Sequence, residues 1–83
     1  MNIRYTLHAL ERMRQRGIES SRVEECLRNH DREESLGGDY YKCVKRINGR
    51  VIVVIYKRED STIIIITAYV SSKIHKYLSN LEL

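Results

Sequence analysis

The sequence predicts an α+β domain: an N-terminal helical hairpin packed on an antiparallel meander of three to five strands, followed by a short C-terminal helix from Lys73 to about Asn80. Runs of β-branched residues fill 51–56 and 62–69, and such residues favour a pleated, largely buried surface. Asn48-Gly49 precedes the first run, and this dipeptide suits a hairpin turn whose two central residues have positive φ. Amphipathic patterns on both sides of these runs predict the helices.

The first elements are a short edge strand and a helix. Residues 2–5 are extended in this interpretation, and Thr6 is the N-cap of a helix that reaches about Arg16. Gly17 is placed to end that helix in a left-handed cap. The side of the helix that is expected to face the core carries Leu7, Ala9, Leu10 and Met13.

A second helix is predicted directly after the first. Ser20 or Ser21 caps it, and it reaches about Asn29. Its core-facing stripe has the spacing i, i+3, i+4, i+7 and consists of Val23, Cys26, Leu27 and His30. Because Gly17 separates the two amphipathic segments, we expect them to form a helical hairpin.

The meander occupies the middle of the chain. An extended segment at 31–35 precedes its first strand, which is predicted at 40–47. The second strand begins after Asn48-Gly49, and a polar turn at 59–62 separates it from the third. No repeat or linker interrupts the chain, so residues 1–83 are expected to form a single domain.

The turns also predict which residues share a face of the sheet. Because side chains alternate along a strand, the length of each turn fixes the register. With a two-residue Asn-Gly turn and a two- or four-residue turn after Arg58, the expected pairs are Lys45 with Ile52, Cys43 with Val54, Val54 with Thr67 and Ile52 with Tyr69. One face then carries Tyr41, Cys43, Lys45, Tyr56, Thr67 and Tyr69. The more apolar face, expected to take the helical hairpin, carries Val44, Val51, Val53, Ile55, Ile64, Ile66 and Ala68.

Composition limits the classes of function. The formal net charge is +4, while acidic residues concentrate between 19 and 39, so the rest of the chain is basic and suits a polyanionic partner such as nucleic acid. Cys26 and Cys43 match no metal-ligand spacing, and we expect free thiols in a reducing compartment. No apolar run reaches the length of a membrane span or a signal peptide, which predicts a cytoplasmic protein without membrane partners.

Several motifs resemble those of a known family. The resemblance rests on the pattern His8-Ala9-x-x-Arg12-Met13-x-x-Arg16-Gly17-Ile18, on Val23-Glu24-Glu25, on a basic strand before Asn48-Gly49, and on Thr67-Ala68-Tyr69. Together they look like a family of small prokaryotic domains of unknown function. That family is placed in the superfold of barnase, EndoU, colicin ribonucleases and RelE-type toxins. The resemblance implies a RelE-like fold and a helix-1 histidine, a basic sheet residue and a Ser/Thr of the last strand at the site.

The resemblance therefore implies a metal-independent endoribonuclease, a RelE-like toxin that cuts RNA or ribosome-bound mRNA and is silenced by an antitoxin protein. Attack of a 2′-hydroxyl on the adjacent phosphate needs a base, an acid and cations, and no cofactor. His8 has a suitable pKa, and Arg12 lies one helical turn away. The candidate catalytic residues are His8, Arg12, Lys45 and Thr67. The candidate phosphate- and RNA-binding residues are Arg16, Arg46, Tyr41, Tyr56, Tyr69 and Lys73.

The same residues also have structural explanations. Surface histidines and arginines are commonly solvated or paired with carboxylates, and tyrosines on a sheet commonly pack with wet hydroxyl groups. The alternative function is therefore a non-catalytic module of the same fold that binds RNA, DNA or another protein, with an exposed strand edge available for homodimerisation. A degenerate toxin fold without activity is a third hypothesis.

Overall fold

The computed structural model describes residues 2–78, and these residues form an α+β domain around one five-stranded sheet. The elements are β1 (Asn2–Tyr5), α1 (Leu7–Arg16), α2 (Ser20–Arg28), β2 (Arg32–Gly37), β3 (Tyr40–Ile47), β4 (Arg50–Glu59), β5 (Thr62–Ser71) and α3 (Ile74–Leu78). The spatial order of the strands is β1-β5-β4-β3-β2. Within this part of the chain, no helix is both long and apolar enough to cross a bilayer.

The sheet is mixed, which corrects the prediction of a purely antiparallel one. The strands β2 to β5 form the predicted antiparallel meander, but β1 lies parallel to β5. It pairs from Asn2 with Thr62 to Tyr5 with Ile65. Since β1 leads directly into α1, the first helix continues along the side of β5 where β1 stops, and α1 contacts β5 more than any other strand.

The predicted register of β3 with β4 is confirmed. Lys45 lies opposite Ile52 and Cys43 lies opposite Val54, as a two-residue Asn48-Gly49 turn requires. Both turn residues have positive φ, 48° for Asn48 and 78° for Gly49.

The predicted register of β4 with β5 is wrong by one residue. A two-residue turn does pair Glu59 with Thr62, and this turn alone would have placed Val54 opposite Thr67. A β-bulge adds one residue to β5, because Tyr56 pairs with Ile65 whereas Ile55 pairs with Thr67. Beyond the bulge the observed pairs are Val54 with Ala68 and Ile52 with Val70.

The bulge moves Thr67 and the later residues of β5 to the face opposite to the predicted one, because one residue of slip turns every later side chain to the other side of the sheet. The predicted position of the helices is wrong independently of the bulge, since the faces of β3 and β4 are as predicted. Helices α1 and α2 do not cover the face of Val44, Val51 and Val53. They pack on the opposite face, where the buried residues are Cys43, Ile52, Val54, Tyr56, Ile65 and Ala68. The valine face is covered by α3 instead. Thr67 and Tyr69 therefore lie on the α3 face, away from Tyr41, Cys43, Lys45 and Tyr56.

The ends of α1 are as predicted, while the start of α2 is not. The Thr6 hydroxyl accepts a hydrogen bond from the Ala9 amide at 3.0 Å, and Gly17 ends α1 with a φ of 65°. The N-cap of α2 is Glu19 without a side-chain hydrogen bond, not Ser20 or Ser21. The predicted end of α3 at Asn80 lies outside the described residues.

The core between the helices and the sheet is apolar. Ala9 and Met13 of α1 and Val23 and Cys26 of α2 are buried against it. Leu7 and Leu10, which were expected in the core, are 72% and 49% exposed, because α1 turns only a narrow stripe toward β5.

The two cysteines meet inside this core. Both are free and buried, and their sulfur atoms lie 3.2 Å apart. The contact with Cys26, followed by burial, raises the pKa of the Cys43 thiol well above its ordinary value. The Cys43 thiol therefore keeps its proton, and both cysteines pack as small apolar side chains.

Candidate functional site

Three clefts lie at one end of the sheet, where Asn48-Gly49 joins β3 to β4 and where β5 ends. We call this the hairpin end and define it by residues 16–22, 46–51 and 70–76. Helix α1 ends here and α2 begins here. Because the turn at Gly17 keeps both helix termini beside the hairpin, side chains from four elements meet in a small space.

The first cleft lies on the helix side and has a volume of about 520 Å³. Three arginines line it: Arg16 from the end of α1, Arg22 from α2 and Arg50 from the start of β4. Its other lining residues are Gly17, Ile18, Ile47, Asn48, Val51, Ile52 and Val70. No carboxylate is among them, so the cleft is a positively charged site with an apolar floor.

A second cleft, of about 610 Å³, continues from the first around the edge of β5. It shares Arg16, Arg50 and Val70 with the first cleft and adds Tyr69 and Ser72. The Arg16 guanidinium donates a hydrogen bond to the Ala68 carbonyl oxygen at 2.8 Å and lies 5.9 Å from the centre of the Tyr69 ring. Arg16 is therefore fixed at the boundary between the two clefts.

A pair of tyrosines lies next to the second cleft on the α3 face. The rings of Tyr69 and Tyr77 meet edge to face with centroids 6.1 Å apart, and Lys42 and Lys76 lie 5.7 Å and 5.4 Å from the Tyr77 ring. Burial, together with the hydroxyl contact to Tyr77, raises the pKa of Tyr69 to about 12. The hydroxyl contact with Tyr69 and the nearby lysines lower the pKa of Tyr77.

Shifts of opposite sign mean that the two hydroxyl groups differ in acidity although their residue type is the same. Tyr77 gives up its proton more readily, and Tyr69 holds its proton. Such divergence is typical of acid–base pairs, although structural contacts also produce it.

A third basic cleft lies beside α3. Its volume is about 580 Å³, and its lining residues are Arg46, Ser72, Lys73, Ile74, His75, Lys76 and Leu78. Beside it, the Asp31 carboxylate accepts a hydrogen bond from the Arg46 backbone amide at 2.7 Å. Two of the predicted binding residues, Arg46 and Lys73, are thus brought together here.

The structure separates the four predicted catalytic residues. His8 and Arg12 are exposed on α1, and the Arg12 guanidinium donates to the Gln15 side chain at 3.3 Å. The Lys45 ammonium group donates to the Asn29 carbonyl oxygen at 3.0 Å, where it caps the C-terminus of α2. Thr67 lies on the other face of the sheet. Lys45 and Thr67 therefore lie on opposite faces of the sheet, whereas His8 and Arg12 are neighbours on α1.

Two of the predicted RNA-stacking tyrosines have structural partners. The Tyr56 hydroxyl donates to the Glu33 carboxylate, and the Tyr41 and Tyr56 rings stack with centroids 5.7 Å apart. The Arg58 guanidinium lies 4.4 Å from the centre of the Tyr41 ring and 2.8 Å from Glu33. These residues lie at the end of the sheet away from the clefts, so only Tyr69 of the three belongs to the basic surface.

Sequence reasoning missed Arg22, Arg50, Lys42 and Tyr77. The sequence contained a weak indication for Arg50, because a residue that directly follows the Asn-Gly turn lies at the tip of a hairpin. Arg22 and Tyr77 carried none, since each sits in an ordinary amphipathic helix pattern. Among residues 2–78, no three histidine, cysteine or carboxylate side chains come together as metal ligands.

The fold and the site define a class: a small α+β domain with a mixed five-stranded sheet and arginine-lined clefts at one end. Comparison with family models then gives the particular family. Residues 5–70 match the family described as Domain of unknown function (DUF4258), and the chain belongs to it. The matched range includes Arg16, Arg22 and Arg50 and ends before α3. Neither the curated proteins nor the solved structures give a significant match.

Proposed function

We propose that this domain binds nucleic acid by holding the sugar–phosphate backbone at the hairpin end. The observation that carries the proposal is the convergence of Arg16, Arg22 and Arg50 on one cleft whose lining contains no carboxylate. Guanidinium groups donate paired hydrogen bonds to phosphate oxygens and stay charged at all physiological pH values. An open basic cleft without acidic side chains therefore suits a phosphate ligand.

The arginines of this cleft also have few competing partners. The Arg22 guanidinium approaches Glu25 at 3.8 Å, with both side chains about half exposed, and an exposed pair of this kind contributes little free energy. Within residues 2–78, no carboxylate lies within 4.0 Å of the charged groups of Arg16 or Arg50. A phosphate can thus bind without first breaking strong ion pairs.

The test is the binding of a fluorescently labelled RNA to the wild type and to an Arg22→Ala/Arg50→Ala variant, measured over a series of salt concentrations. Each lost phosphate contact lowers the slope of log affinity against log salt by about one. We expect the double variant to bind about 10- to 100-fold more weakly at low salt, with a slope smaller by about two. Arg16 is left unchanged, because its bond to Ala68 also holds the edge of β5.

The matched control is Lys57→Ala/Arg58→Ala, which removes the same charge from the far end of β4. Its affinity and salt slope should stay near those of the wild type. If both double variants lose the same amount of affinity, binding depends only on the net charge of the protein and not on the hairpin end. If the wild type binds no RNA at low salt, the proposal is overturned.

A second candidate is the metal-independent endoribonuclease of a RelE-like toxin, favoured by the Tyr69–Tyr77 pair. If the domain is such a ribonuclease, Arg16 and Lys42 hold the phosphates of the RNA. Tyr77, whose pKa is lowered, exchanges protons with the attacking 2′-hydroxyl or the leaving oxygen. His8 lies two turns before Arg16, about 12 Å along the helix axis, so it contacts a different phosphate. A small antitoxin protein covering the hairpin end would silence the activity.

Cleavage of end-labelled RNA in the presence of EDTA tests this second candidate. We expect products with a 2′,3′-cyclic phosphate and a rate at least ~100-fold lower for Tyr77→Phe, the scale for loss of a general acid or base. His8→Ala, measured beside it, reports whether the histidine takes part. If the wild type cleaves neither free RNA nor mRNA on translating ribosomes, the ribonuclease candidate is overturned and nucleic-acid binding without cleavage remains.

A further inference from the structure

Among residues 2–78, no strand pairs with the outer edge of β5 over a short stretch at the hairpin end. Strand β1 pairs with β5 only as far as Ile65. Beyond that point, α1 covers the edge through the Thr6 hydroxyl, which donates to the Ile66 carbonyl oxygen at 3.4 Å, and through Arg16, which donates to Ala68. Val70 comes next, and it is 44% exposed. Within the described part of the chain, no strand therefore pairs with this edge at Val70, where the two arginine clefts meet.

The two clefts lie on opposite sides of this edge. The first is lined by Gly17, Ile18 and Arg22 on the helix face, and the second by Tyr69 and Ser72 on the α3 face. Arg16, Arg50 and Val70 line both clefts. A ligand that fills both must cross from one face of the sheet to the other over Val70.

From this geometry, and resting on the proposed binding of nucleic acid, we infer that the ligand is a single-stranded polynucleotide that crosses the edge of β5 at Val70. Arg16 and Arg50 hold its phosphates on either side of the crossing. The apolar Val70 side chain and the exposed part of the Tyr69 ring contact the bases, which are unstacked where the strand turns.

The dimensions of the crossing exclude a double helix. The whole molecule measures 32 × 28 × 18 Å, so the path around the sheet edge turns within a few nucleotides. Duplex nucleic acid is stiff over a length of about 150 base pairs and cannot follow this path. It can touch the arginines of one cleft at a time, whereas a single strand reaches both clefts together.

The experiment compares a labelled RNA strand of about 10 nucleotides with a blunt duplex of the same sequence, at one low salt concentration. The wild type should bind the single strand at least ~10-fold more tightly, because a second set of phosphate contacts is made. Val70→Asp places a negative charge at the crossing and should remove that preference while leaving duplex binding within about threefold. Ile64→Asp, on the same strand and away from the clefts, is the matched control.

A second measurement needs no variant. In the nuclear magnetic resonance spectrum of the wild type, the Val70 methyl signals should shift when the single strand is added and stay in place when the duplex is added. Binding of the duplex as tightly as the single strand, without a shift of the Val70 methyls, would overturn the inference and leave the proposed function standing. Binding of neither form would overturn both.

Discussion

The two ends of the sheet carry their positive charges differently. At the far end, which comprises residues 33–41 and 56–62, cations lie against carboxylates and rings: Lys57 is 3.0 Å from Glu59, and Arg58 is 2.8 Å from Glu33. At the hairpin end, Arg16, Arg46 and Arg50 have no such ion pair within residues 2–78. At the far end the Arg58–Glu33 pair therefore joins β4 to β2, whereas at the hairpin end no ion pair among residues 2–78 occupies these three arginines.

Breaking the turn at the hairpin end should have the largest effect on folding. Gly49 has a φ of 78°, and a side chain in this left-handed region is strained. Gly49→Ala should lower the free energy of unfolding by about 1–2 kcal/mol, measured by urea denaturation. The matched change at the far end is Asp60→Gly, where φ is 55°, and it should not destabilise the protein. Equal losses from both changes would show that backbone strain does not distinguish the two turns.

Removing one arginine from each end tests the comparison directly. Arg58→Met keeps the aliphatic stem but loses the contact with Glu33 and the stacking on Tyr41, and should lower the free energy of unfolding by about 1 kcal/mol. Arg50→Met should change it by less than about 0.5 kcal/mol, since Arg50 has no ion pair to lose. Denaturation curves of the two variants side by side give the measurement. If Arg50→Met lowers the free energy of unfolding more than Arg58→Met does, the view that Arg58 stabilises the fold and Arg50 does not is wrong.

Alkaline pH should produce the smallest and most gradual change. Burial raises the pKa of Tyr69 to about 12 and, at the far end, raises that of Tyr56 further, above its ordinary value of 10.0. Because the folded state keeps these hydroxyl groups protonated, their contribution is complete below pH 10 and is lost as the pH rises toward 12 and beyond. Melting temperatures measured across this window should fall, and Tyr56→Phe should fall less steeply than the wild type. Parallel curves would contradict the shift at Tyr56.

Local chemistry in the sequence predicted much of this fold. Asn48-Gly49 gave the register of β3 with β4 because a two-residue turn leaves one choice, and Thr6 and Gly17 marked the ends of α1. The bulge at Ile66 has no such signal, since Ile63, Ile64, Ile65 and Ile66 are alike and any of them can be the extra residue. That single residue moved Thr67 and Tyr69 to the other face. The helices cover the Cys43 face instead of the Val44 face, and since β3 and β4 carry buried apolar residues on both faces, their pattern does not decide between the two.

The site was harder to predict because it depends on distances across the fold. Arg16 and Tyr69 were named from the sequence, and the structure does bring them together. Their partner Arg50 comes from a different element, and no spacing along the chain relates it to Arg16. Lys45 is a case in which the sequence suggested a site residue that the structure uses otherwise. Its place on a basic strand predicted phosphate binding, but its ammonium group caps the C-terminus of α2.

The parallel pairing of β1 with β5 also sets the order in which this chain assembles. Asn2 and Thr62 are paired in the sheet but lie 60 residues apart along the chain, so their contact carries a loop-closure cost. During synthesis, β1 emerges before β5 and has no strand partner until β5 has been made. We therefore expect the meander, whose strands are neighbours along the chain, to pair before β1 docks on β5.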